Sequence, residues 1–126
     1  MQKIKLINLI FVLFGVFLFG ACEYATIQPD APPPPPPPGD TTSFSLEVQP
    51  IFNSGCVGCH GGSTPPDLRE GRSYQSLFDN NFVVKSKPEE SVLYTCLQSG
   101  GSMVGYSNPT SNAIIYNWIL EGAKNN

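Results

Sequence analysis

Histidine is nearly missing from this 126-residue chain: His60 stands alone. Any chemistry needing two imidazoles, including a metal held by a histidine pair, is therefore excluded within one molecule. Charge is also sparse, at 13% of residues, and basic residues number only seven. Two of them, Lys3 and Lys5, lie at the very start. If they leave with a cleaved leader, five Lys and Arg face ten Asp and Glu, a formal charge of −5. Nucleic-acid binding needs clustered cations to neutralise phosphates, so that class is set aside. No stretch alternates strictly between apolar and polar residues for long enough to make a central strand, and no internal repeat is evident. No apolar run reaches the roughly 20 residues needed to span a bilayer.

The longest apolar run, Leu6 to Ala21, is broken only by Asn8 and follows Lys3 and Lys5. A basic start followed by a short apolar run is the layout of an export leader. It ends in Leu18-Phe-Gly-Ala-Cys22, which resembles the lipobox of bacterial lipoproteins, with Phe19 where an aliphatic is usual. That resemblance implies cleavage after residue 21 and lipidation of Cys22. A diacylated cysteine suffices for stable attachment to a membrane. The alternative is an uncleaved signal anchor in which Cys22 is incidental.

Residues 22–41 read as a linker. Pro32 to Pro38 are seven consecutive prolines, which cannot join helix or sheet ladders and favour polyproline II. At ~3.1 Å per residue they form a spacer of about 22 Å. Residues 42–126 then form one small domain, of a size that often depends on a staple or a cofactor.

Within that domain the apolar spacing predicts helices joined by loops, an all-α class. Phe44, Val48, Ile51 and Phe52 share one face, with Pro50 opening a fresh turn. Gly61 to Arg72 reads as loop, and Ser73 to Asp79 as a short helix carrying Tyr74, Leu77 and Phe78. Pro88-Glu-Glu opens a helix whose face holds Val92, Leu93, Cys96 and Leu97, ended by Gly100-Gly101. Asn108-Pro109 opens the last helix, with Ile114, Ile115, Trp118 and Ile119 inward and Gly122 beyond its end.

The informative motif is Cys56-Val-Gly-Cys59-His60. C-x-x-C-H is the attachment signature for c-type haem: two thiols match the porphyrin's two vinyl groups, and the adjacent imidazole meets the iron. Val57 and Gly58 are small enough for the backbone to pass close to the ring. A thioredoxin-like pair would need a βαβ surround, and structural zinc would need four ligands, with only Cys96 left to supply the last. A plain disulfide between Cys56 and Cys59 is the remaining alternative.

From Phe44 through Val48-Gln-Pro-Ile-Phe52 to Cys56-Val-Gly-Cys59-His60-Gly-Gly, the chain resembles small class I cytochromes c. The closing Trp118-Ile-Leu-Glu-Gly-Ala123 resembles the end of their last helix. The resemblance implies one covalent haem c, a compact all-α fold with first and last helices crossing beside it, and single-electron transfer without catalysis. It further implies Met103 as distal iron ligand, although Val104 stands where the family commonly has proline. The alternative is that Met103 only fills space, with Lys85 and Lys87 as remote ligands or the position left open, as in a gas sensor or enzyme. Pro66-Asp-Leu68 resembles the family's Pro-x-Leu, implying a Pro66 (or Pro65) carbonyl as acceptor for the His60 ring and Leu68 against the haem. The remaining prominent side chains have plainer roles: Cys96 as a small buried hydrophobe, Trp118 as core, Glu89 and Glu90 as helix-start charges. The expected setting is extracytoplasmic, lipid-anchored to an inner or outer membrane and facing the periplasm. The expected partners are redox proteins there, and the acidic balance suggests that they dock through basic patches.

Overall fold

The computed structural model describes residues 41–126. The expected leader, Cys22 and almost all of the linker lie outside the described residues. Among the described residues there are helices, turns and loops and no strand, in keeping with an all-α class. No helix among them is long and apolar enough to cross a membrane.

The chain enters through a π-helical turn, Phe44–Val48, that runs directly into helix α1, Gln49–Gly55. Pro50 explains the wide turn. A proline has no N–H to give and its ring crowds the preceding turn. Winding i→i+5, with Gln49 N–H bonded to the Phe44 carbonyl, absorbs one extra residue ahead of it. Pro50 thus sits in the first turn of α1 without interrupting the run. Ser43 caps the start, its hydroxyl accepting from Leu46 N–H at 3.3 Å.

Helix α2, Ser73–Asp79, occupies the span expected of it. The Pro88–Glu90 segment is a separate 3₁₀ turn, and helix α3 is only Val92–Thr95. Ser91 causes the break. It is fully buried with extended backbone, and its hydroxyl accepts from Val84 N–H (2.9 Å) and donates to the Lys87 carbonyl (2.9 Å). A serine that serves neighbouring backbone in this way competes with helix continuation. The break also rotates Val92 outward. It is 48% exposed, while Leu93 and Leu97 are buried, so Val92 does not share the inward face assigned to it from spacing.

Helix α4, Pro109–Leu120, is capped by Asn108, whose side chain accepts from Ser111 N–H at 2.9 Å. Its buried side chains are Ile115, Tyr116, Trp118 and Ile119. The two ends of the domain meet here. Phe44 packs on Trp118 with ring centroids 5.1 Å apart, and Tyr74 of α2 lies edge-on to Phe44 at 5.3 Å. Polar contacts reinforce the junction. Asn126 accepts from Phe44 N–H (2.9 Å) and Ser45 N–H (2.9 Å), and Glu121 accepts from Thr42 N–H (2.7 Å). Trp118 itself is 1% exposed and its indole N–H donates to the Lys124 carbonyl at 2.8 Å.

Because Trp118 joins the first and last helices, Trp118→Ala should cost about 3–5 kcal/mol through lost burial and the cavity left behind. The check is denaturant unfolding, read as a lower midpoint at unchanged slope. A loss below about 1 kcal/mol would contradict this view of the core.

Candidate functional site

Cys56 is the residue at which α1 ends. Its N–H and that of Val57 both bond to the Phe52 carbonyl, at 2.9 and 3.0 Å. The Cys56 carbonyl then accepts from Cys59 N–H (3.1 Å) and His60 N–H (2.9 Å). One carbonyl thus closes a turn over Val57 and Gly58 and fixes where Cys59 and His60 begin. Gly61 follows so closely under this turn that a Cβ there would stand 2.9 Å from the Val57 carbonyl oxygen. Cys56 is half-buried, Cys59 is exposed, and both thiols are free.

His60 is half-buried and held at two points. Its carbonyl accepts from Leu68 N–H at 2.8 Å. Its ring Nδ1 lies 3.3 Å from the Thr64 carbonyl oxygen. With the proton on Nδ1 the ring donates to Thr64 and leaves the Nε2 lone pair for a metal, the arrangement found when a backbone carbonyl orients a ligating imidazole. The carbonyl in this place belongs to Thr64, upstream of Pro65 and Pro66, because the loop doubles back early to return Leu68 to the His60 carbonyl. Pro66 and Leu68 are both buried, and Leu68 belongs to the core.

A residue not anticipated from the sequence holds this loop. Gln49 is buried in the first turn of α1. It donates to the Leu68 carbonyl (3.0 Å) and to Asn53 Oδ1 (2.9 Å), and its own oxygen accepts from the Ser73 hydroxyl. It therefore ties α1, the loop after the motif and the start of α2 together. The only sequence sign was a polar residue beside the apolar positions Val48 and Phe52.

Met103 is half-buried and precedes a 3₁₀ turn, Val104–Tyr106. Its N–H donates to the Cys96 carbonyl at 2.8 Å, and Gly101 passes so tightly against that carbonyl that a Cβ there would overlap it. Cys56, Val57, Cys96 and Met103 all border the hydrophobic core. Gly55 faces the Tyr106 carbonyl, 3.4 Å from where a Cβ would sit, which brings the Met103 segment against the start of the motif. Burial pushes the Cys56 thiol up from its ordinary value. Burial also raises the Cys96 thiol, a hydrogen bond from backbone opposes it, and negative charge on Cys56 adds to the rise. Burial thus favours the neutral form of the Cys96 thiol, which borders the same core as Cys56 and Met103.

Two observations bear on what group fits. Among the described residues no three His, Cys, Asp or Glu side chains gather as a bare-metal site requires. A haem makes no such demand, since its ring supplies most of the iron's ligands and the protein would add only one or two donors, for which His60 and Met103 are at hand. Ser107 Oγ, four residues after Met103, and Asn112 Oδ1 and Asn117 Oδ1 of α4 are buried without a hydrogen-bond partner. Buried polar atoms are ordinarily paired, and the Ser107 hydroxyl in particular could serve the carboxylate of a bound group. The donor set and this hydroxyl both fit haem. Asp67, in the intervening loop, is held at about 2 by the side-chain hydrogen bonds from Arg69, so it stays an anion paired to its neighbour. The Tyr116 hydroxyl, bonded to Glu89 at 2.9 Å, shows that Glu89 is a packing partner of α4 as well as a helix-start charge.

Replacing Gln49 by methionine keeps its volume and strands the Leu68 carbonyl and the Ser73 hydroxyl. Each unpaired buried group costs about 1–3 kcal/mol, so Gln49→Met should lower unfolding stability by about 2–6 kcal/mol. Denaturant titration checks this, and a neutral result would remove Gln49 from the support of the site. Comparison with known protein families, with characterised proteins and with solved structures finds no match to this chain.

Proposed function

We propose that this chain is a monohaem c-type cytochrome that passes single electrons between redox proteins outside the cytoplasm, held to a membrane through lipid on Cys22. The observation that carries the reading is the turn at Cys56-Val-Gly-Cys59-His60. It offers two free thiols and an imidazole whose Nδ1 is engaged by the Thr64 carbonyl.

Haem, when bound, supplies an iron that alternates between ferrous and ferric forms by gaining and losing one electron. Cys56 and Cys59 hold it covalently. Haem would supply two vinyl groups, to which the Cys56 and Cys59 thiols would be joined as thioethers by additions that need no oxidant. His60 gives Nε2 to the iron, and the Thr64 carbonyl fixes its tautomer and orientation. Met103 would offer its thioether to the same group from a segment pinned by the Cys96 carbonyl and by the close pass of Gly101. Held by a thioether and an imidazole, such a group would favour the reduced iron and would supply electron exchange in place of substrate binding. The chain then acts as a carrier and not as an enzyme, although a larger oxidoreductase could hold it as a subunit.

The test is an optical spectrum of full-length protein expressed with haem-attachment machinery, ferric and ferrous, with and without carbon monoxide. Met/His ligation predicts a six-coordinate ferrous spectrum that carbon monoxide does not change promptly at neutral pH. Met103→Ala should open the site, so that carbon monoxide binds at once. Immediate binding to the unaltered protein would favour a gas sensor or enzyme, and absence of haem absorption would leave a structural lipoprotein.

A further inference from the structure

All charged side chains of the described domain lie outside the two stretches that build the proposed haem site. Between Glu47 and Asp67 there is no Asp, Glu, Lys or Arg, and between Glu90 and Glu121 there is none. The first gap holds Cys56, Cys59, His60 and Pro66. The second holds Cys96 and Met103. In space the gaps adjoin, since Gly55 packs on the Tyr106 carbonyl and Cys56 and Met103 border the same core. Their outward residues are Gly58, Cys59, Ser63 and Thr64 on one side, and Val104 (50% exposed) and Tyr106 (66% exposed) on the other. Where charge does approach, beside Gly62, Arg69 and Asp67 cancel in a paired contact (Nη2–Oδ2 2.7 Å, Nε–Oδ1 3.0 Å).

We infer that the surface joining Cys59 to Val104 and Tyr106 is an uncharged docking face, and that the redox partner meets it with a face likewise uncharged and partly apolar. The inference rests on the proposed haem reading, which makes this surface the rim of the redox centre. Its physical basis is desolvation. A charge at the middle of a docking face must be stripped of water or paired, and interface cores are accordingly poor in charge. An acidic or basic partner would gain nothing here. The charged residues of the described domain belong to other segments, so they do not call for a basic patch on the partner of this face. Encounter without steering leaves association at ordinary rates and insensitive to salt.

The experiment is stopped-flow oxidation of full-length, ferrous, haem-loaded protein in neutral detergent. The oxidants are anionic hexacyanoferrate(III) and cationic tris(phenanthroline)cobalt(III). Ionic strength is raised from about 0.01 M to about 0.5 M, which shortens the screening length from about 30 Å to a few Å. Rate changes below about threefold for both reagents are expected. Larger changes of opposite sign for the two would show a charged face and overturn the inference. Val104→Lys should make the anionic reagent several-fold faster at low salt only, with Tyr106→Lys as a second variant. Leu46→Lys adds the same charge at the opposite end of the first helical run, where Leu46 is 79% exposed, and should not do so. Equal responses from the two positions would place electron exchange elsewhere. Salt-independent dimerisation abolished by Val104→Lys would assign the face to a second copy and overturn the partner. A chain without haem would show no oxidation at all, and that failure would be visible beforehand in its spectrum.

Discussion

The carbonyl of Cys56 is the acceptor around which the site is organised. It takes hydrogen bonds from both Cys59 and His60 at the point where α1 runs out of helical partners. Helices leave their last carbonyls unsatisfied, and here that ordinary shortage is met by the next residues of the motif. Two thiols and one imidazole thereby acquire fixed starting points on a single turn. The rest of the domain can be understood as support for it. The Phe44–Trp118 contact anchors the far end of the helical run, Gln49 holds the loop that closes over His60, and the Cys96 carbonyl holds Met103.

Much of this was legible in the sequence because it depends on local rules. Asn108-Pro109 names its own helix start by side-chain cap and proline, and α4 begins there. Ser73 to Asp79 has helical spacing and forms a helix. The Cys56-to-His60 spacing places both thiols and the imidazole on one tight turn, and the structure forms that turn. What was not legible depends on contacts between distant residues. Ser91 breaks the run after Pro88 because Val84 and Lys87 fold back onto its hydroxyl, and no local pattern forecasts their arrival. Val92 turns outward for the same reason. Gln49 gave only a weak sign, since its partners Leu68 and Ser73 are brought to it by the loop. Thr64 stands two residues ahead of the expected Pro66 as the acceptor for the His60 ring, and which carbonyl of a Ser-Thr-Pro-Pro loop points inward is set by how the loop closes.

The small size of the domain gives a bound group a structural as well as an electronic part. A core of this extent leaves little stability in hand, and the rim of Cys56, Val57, Cys96 and Met103 is only half-buried. A flat apolar group seated there would bury that rim further, and a carboxylate on it could accept from the Ser107 hydroxyl. The same seat would lie among segments that contribute no Asp, Glu, Lys or Arg. On the proposed reading, holding the cofactor and meeting the partner would be tasks of one side of the described domain.

The most direct test of the central claim is mass spectrometry of the purified full-length protein after extraction with acidified acetone. Covalent attachment predicts that the colour stays with the polypeptide and that its mass exceeds that of the processed, lipidated chain by one haem. The excess should map to the peptide containing Cys56 and Cys59. Pigment released into the solvent, or a polypeptide mass without that addition, would contradict the account.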